Sequence, residues 1–181
     1  MCLAFWLGLL LACGSSQQIP EEDQKFLSEN PYLLNRQKVS SDALMRFNNA
    51  HAAMENQQWE LAEQELNSLI KEYPQFSGPY LDLAMIYRQT QQTARADEYF
   101  ARAIATNPDN VVAYNQYAIF LREQGSFQQS EAVYLQALDV WPDYPDGHRN
   151  LGVLYDLYLG NKEAALIHYE RYQQLTADTD P

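Results

Sequence analysis

Three prolines, Pro74, Pro108 and Pro142, stand 34 residues apart, each in a polar turn that leads into an apolar pattern with helical spacing. The recurring phrase reads "KEYPQFSGPYLDLAMIY", then "ATNPDNVVAYNQYAIF", then "DVWPDYPDGHRNLGVLY". Self-similarity at such a fixed period is the mark of a solenoid, in which each unit is too small to bury its apolar face alone and shares it with a neighbour. Proline cannot continue a helix, so each one closes a unit and lets the next begin. With proline at unit position 32, the units fall at 43–76, 77–110, 111–144 and 145 to about 178.

Small residues sharpen the pattern. Position 8 holds Ala50, Ala84, Ala118 and Gly152, and position 20 holds Ala62, Ala96, Ser130 and, after a one-residue insertion, Ala165. Two helices can cross at 8–10 Å only where the side chains between them are small, so these positions predict one close helix pair per unit. Large residues fill the space around the crossing, as Leu66, Phe100, Tyr134 and Tyr169 do at position 24. Between the two helices the chain is expected to turn at Gln57-Gln58, Gln91-Gln92, Gly125-Ser126 and Gly160-Asn161, with glycine suited to the left-handed residue that ends a helix. The predicted fold is all-α, an array of about four stacked helical hairpins.

With these residues at these positions the chain resembles the tetratricopeptide repeat family, over about three quarters of its length. The resemblance implies an alpha-alpha superhelix whose first helices line a concave groove, chiefly through positions 2, 5, 9, 12 and 13. The groove residues would be Phe47, Leu81, Asn115 and Arg149 at position 5, His51, Met85, Ile119 and Val153 at position 9, and Arg88 and Arg122 at position 12. An apolar stripe flanked by arginines suits an extended or helical peptide with apolar anchors and an acidic flank. Equally, Arg88 and Arg122 could pair with Glu123, Asp82 or Asp156 and only solvate the face. One subgroup of the family clamps a C-terminal carboxylate with lysines and asparagines; Phe47 and His51 depart from that clamp, and this ligand is not expected.

The first residues, "MCLAFWLGLLLACGSS", form an uncharged apolar run too short to cross a bilayer, which takes about 20 residues. The run resembles a bacterial lipoprotein signal, with Leu10-Leu11-Ala12-Cys13 as its lipobox. That resemblance implies cleavage after residue 12 and acylation of Cys13, and Gly14 in place of aspartate implies the periplasmic face of the outer membrane. An ordinary cleaved signal, giving a soluble periplasmic protein, and an uncleaved interfacial anchor are the alternatives. Residues 13–41 read as a tether interrupted by Pro20 and Pro31, in which "KFLSENPYLL" carries enough apolar side chains to lie against the first repeat.

Composition removes several functions. A net charge of -12, with 12 basic against 24 acidic residues, argues against nucleic acid, which needs clustered Lys and Arg. Both cysteines lie in the first thirteen residues, so the body can hold neither an internal disulfide nor a thiolate metal site. His51, His148 and His168 are read as lying on separate units, each a packing or groove residue, and His51 with Glu55 is at most half a metal site. No nucleophile, second base or phosphate loop accompanies them, so no cofactor, metal or catalysis is expected. The expected role is a lipid-anchored adaptor for an envelope protein partner, of the pilotin, assembly-factor or hydrolase-scaffold kind. The rival is a structural lipoprotein that self-associates through the last repeat, whose outer face near Leu166, Tyr169 and Tyr172 is expected to be partly apolar.

Overall fold

The computed structural model describes residues 28–35 and 38–177; Cys13 and the leader lie outside them. A single turn, α1 (Pro31–Leu34), precedes eight helices: α2 (Ser41–Glu55), α3 (Trp59–Glu72), α4 (Ser77–Gln89), α5 (Thr93–Thr106), α6 (Val111–Glu123), α7 (Phe127–Val140), α8 (Pro145–Leu154) and α9 (Lys162–Thr176). They pair as α2/α3, α4/α5, α6/α7 and α8/α9, and each hairpin packs on the next, so four stacked hairpins are present. No strand occurs among the described residues.

Local chemistry starts the helices. Ser40, Asn110 and Asn161 each accept a hydrogen bond from the backbone N–H three residues on, satisfying a donor that the first turn leaves free. Pro145 opens α8, where its missing N–H costs nothing. Each hairpin turns through one residue at positive φ: Gln57, Gln91, Gly125 and Gly160.

Packing follows the small residues. Ala50, Ala84 and Ala118 are fully buried against Ala62, Ala96 and Ser130, and the Ser130 hydroxyl donates to the Ala118 carbonyl at 2.7 Å, so the one polar side chain at this crossing is satisfied. Large rings and aliphatics, including Leu66, Phe100, Tyr134 and Leu83, close the core around them.

The inserted residue of the fourth unit is absorbed in a π turn, Tyr155–Leu159, that continues α8. In the first three hairpins a turn N–H reaches the carbonyl five residues back, Gln58 to Ala53, Gln92 to Tyr87 and Ser126 to Leu121. In the fourth, Asn161 reaches six back to Tyr155 at 2.9 Å. Widening one helical turn leaves the crossing of Gly152 with Ala165 in place.

Residues 28–35 and 38–40 do not simply rest on the first hairpin. They form a strap along the loops between units, running against the order of the repeats. The Ser40 hydroxyl lies 3.3 Å from the Tyr73 hydroxyl, Asn35 Nδ2 donates to Asp109 at 2.8 Å, and Ser28 Oγ donates to Asp143 at 2.8 Å. Trp141 Nε1 donates to the Ser28 carbonyl at 2.7 Å. Sequence suggested contact with the first repeat only; the polar side chains that follow each unit-ending helix extend that contact across three units.

Candidate functional site

Helices α2, α4, α6 and α8 stand side by side, and polar pairs join each to the next. His51 Nε2 lies 2.6 Å from Asp82 across α2 and α4. Arg88 gives Glu123 two hydrogen bonds across α4 and α6, one of them from Nε at 2.8 Å. Asn150 Nδ2 donates to Asn115 at 2.9 Å across α6 and α8. Bidentate Arg–carboxylate geometry makes the middle pair the strongest of the three. Hydrogen bonding to Asp82 raises the His51 pKa against the opposing effect of burial.

Between and beside these pairs lie Phe47, Leu81, Met85, Ile119 and Val153, all half-buried. The Phe47 and His51 rings are tilted with centroids 4.5 Å apart. Beyond Phe47 the stripe opens into an apolar pocket of about 220 Å³, lined by Tyr32 and Val39 of the strap, Leu44 of α2, and Phe76 and Pro79 at the start of α4.

The expected site residues thus divide. Arg88 is occupied by Glu123, Asp82 by His51, and Asp156 by Lys162. Asn115 is buried in its bond to Asn150, so it serves as a joint between helices instead of a groove contact. Arg149 is half-exposed, 3.9 Å from Asp146 and 5.9 Å from the centre of the Tyr172 ring. Arg122 alone of the three arginines has no carboxylate among the described residues. Its guanidinium carbon lies 5.7 Å from the Tyr158 ring centre, and its Nη1 is buried without a hydrogen-bond partner.

Two features escaped the sequence reading. A tyrosine hydroxyl from each later unit reaches an acid in the unit before: Tyr87 to Glu63 at 2.7 Å, Tyr117 to Asp97 at 2.8 Å and Tyr155 to Glu131 at 2.6 Å. The signal was there, because Glu63, Asp97 and Glu131 all occupy unit position 21. Burial, helped by the acidic partner, pushes the Tyr117 and Tyr155 hydroxyls up to about 12.

The histidines are the second feature. His148 and His168 are not apart: their Nδ1 atoms are 2.9 Å from each other within one hairpin. The antiparallel register explains it, since His148 lies four residues before Gly152 and His168 three after Ala165. His148 Nε2 faces the Pro142 carbonyl at 2.9 Å and must donate to it, so Nδ1 of neutral His148 accepts from His168. Burial, with a smaller push from Arg171, lowers the His148 pKa, and burial beside His148 lowers that of His168 to about 4. The two rings pack against each other with centroids 5.2 Å apart, so the pair joins α8 to α9.

The fold and this face define a helical-hairpin repeat protein. Three family models described as tetratricopeptide repeat match residues 50–75, 77–120 and 109–176, and the chain belongs to the tetratricopeptide repeat family. Similar solved structures include one titled MamA, at 14% identity and TM-score 0.66 over 76% of this chain and 80% of that one. A second, titled as PilF of Pseudomonas aeruginosa, has 20% identity and TM-score 0.67 over 75% of this chain and 61% of that one. A third, titled MamA MSR-1, has 19% identity and TM-score 0.59 over 78% and 83%. At these identities the likeness is one of fold. No curated protein matches the chain.

Proposed function

We propose that this chain is a lipid-anchored, non-enzymatic adaptor at the periplasmic face of the outer membrane, and that the face built from α2, α4, α6 and α8 holds a segment of a protein partner of the cell envelope. The observation that carries the reading is Arg122: a half-buried guanidinium without a carboxylate among the described residues, one helical turn from the half-buried Ile119 of the stripe. An acidic side chain or carboxylate of the partner pairs with the positive charge of the half-buried Arg122, and its apolar side chains lie on the stripe and in the pocket beside Phe47. Pilotin-like and assembly-factor-like roles both fit such a face. The leader supports the anchor through Leu10-Leu11-Ala12-Cys13, since several acyl chains hold a protein on a membrane where one does so only marginally.

A photo-crosslinking residue placed at Ile119 in living cells tests the groove, with the exposed Leu135 of α7 as the control position. Adducts are expected at Ile119, weakened about tenfold by Arg122→Glu and less by Arg88→Glu, because Arg88 already has its acid. Adducts indifferent to Arg122→Glu would remove the groove from the proposal. For the anchor, Cys13→Ser is expected to release the chain from the membrane fraction, and retention there would refute lipid attachment at that residue.

A further inference from the structure

We infer that α9 pairs with α9 of a second copy of this chain, antiparallel about a two-fold axis through Leu166. Unit position 21 carries the inference. In the first three units it holds Glu63, Asp97 and Glu131, and each accepts the tyrosine hydroxyl that comes down from the next unit, so this position faces the neighbouring hairpin. In the fourth unit it holds Leu166, which is 57% exposed. Ile167 beside it is exposed as well. The open end of the array has thus exchanged a polar acceptor for an apolar side chain, and an exposed apolar face on a terminal unit is a surface for association.

The first hairpin of another copy does not fit this end. The tyrosines that make the bonds between units stand at positions 7 and 11, where the first unit has Asn49 and Ala53. A first hairpin docked on α9 as a fifth unit would make none of those bonds, and head-to-tail addition of that kind would grow an open filament. A two-fold contact between identical faces closes on itself.

Charge decides the direction. Lys162, Leu166 and Glu170 follow one another at intervals of four residues, a single stripe along α9. A two-fold axis through Leu166 with the helices antiparallel sets Lys162 opposite Glu170 of the partner subunit, twice, and brings the two leucines together. The same axis sets Glu163 level with Tyr169 of the partner subunit, three residues to either side of Leu166, so no like charges meet. Parallel helices would set lysine against lysine and glutamate against glutamate. Glu170 is exposed and has no basic partner among the described residues. Lys162 donates to Asp156, yet its side chain is 75% exposed, and an ammonium has three donors to give. None of these residues belongs to the face built from α2, α4, α6 and α8, so the pair carries two such faces.

A photo-crosslinking residue at Leu166 of the purified full chain tests the pair, with the exposed Leu135 of α7 as the control position. The expected product is a link between two copies that peptide mapping assigns to residues 162–170 of both. Glu170→Lys is expected to lower its yield about fivefold, and Lys162→Glu/Glu170→Lys to restore it, because only the exchange returns opposite charges to each other. A link within one copy would give the α9 face to the chain's own ends and overturn the pair; so would absence of any link, an equal yield at Leu135, or a double variant as weak as the single one.

Discussion

A β-carbon on Gly152 would lie 2.8 Å from the ring of Tyr169. The two residues fill the same crossing in the fourth hairpin: the Tyr169 ring lies where the methyl of an alanine at position 8 would sit, whereas Ala84 and Ala118 are accommodated beside the rings of Phe100 and Tyr134 in the second and third units. Gly152→Ala is expected to destabilise the chain by ~1 kcal/mol, because overpacking of ~1–3 kcal/mol outweighs the helix-propensity gain of ~1 kcal/mol. Urea unfolding checks this, and Gly152→Ala/Tyr169→Leu should recover most of the loss. A stable single variant would mean that Tyr169 can swing away at no cost.

Gln57 and Gln91 hold the left-handed turn conformation, at φ 57° and 59°, that Gly125 and Gly160 hold elsewhere. The steric penalty of ~1–2 kcal/mol exceeds the ~0.5–1 kcal/mol of entropy that glycine loses on folding. Gln91→Gly should therefore raise stability by ~0.5 kcal/mol, and Gly125→Ala should lower it by ~1 kcal/mol. The same denaturation series reads both, and opposite signs are the decisive outcome.

The tyrosine–acid bonds tie one unit to the next, so their loss should act on stacking. Tyr87→Phe removes the hydroxyl from Glu63, which keeps Arg95 as a partner. A cost of ~1 kcal/mol is expected for this variant, and a similar cost for Tyr155→Phe. The two sites lie at different interfaces, so the double variant should be close to additive. Thermal melts that show no loss would make these bonds incidental.

Two kinds of histidine give opposite pH dependence. His168, held near 4 by burial beside His148 against an ordinary 6.5, binds its proton more readily in the unfolded chain. Its contribution is complete above pH 6.5 and is lost as pH falls toward 4, on the order of 1 kcal/mol after allowance for partial solvent screening. His51, raised by Asp82, contributes fully below pH 6.5 and loses that contribution as pH rises through its folded pKa. Stability measured from pH 4 to 9 should lose part of its acid slope in His168→Gln, while His51→Gln should be weaker than the parent only at the acid end. Unchanged slopes would deny both assignments.

Much of this was legible beforehand because it repeats. Alanines at positions 8 and 20 and prolines at position 32 report hairpin packing directly, since only small residues fit a close crossing and proline cannot extend a helix. The tyrosine–acid bonds were written at position 21 but required knowing which hydroxyl comes down over each acid. Tyr87 and Tyr155 use position 11, and Tyr117 uses position 7, so no single spacing revealed them. The histidine pair was hidden for a related reason: its closeness depends on the register of an antiparallel hairpin in which a π turn has absorbed one residue.

By itself the sequence determined the period, the helical hairpin and the family, because each follows from local chemistry that every unit restates. Tertiary structure alone decided the rest: that Glu123 holds Arg88 and leaves Arg122 without an acid among the described residues, that Asn115 is a buried joint, and that residues 28–35 and 38–40 strap three units together. Those outcomes depend on which side chains meet across helices 20 to more than 100 residues apart in sequence. Such meetings are selected by the stacking of whole hairpins and have no signature in the spacing of any one of them.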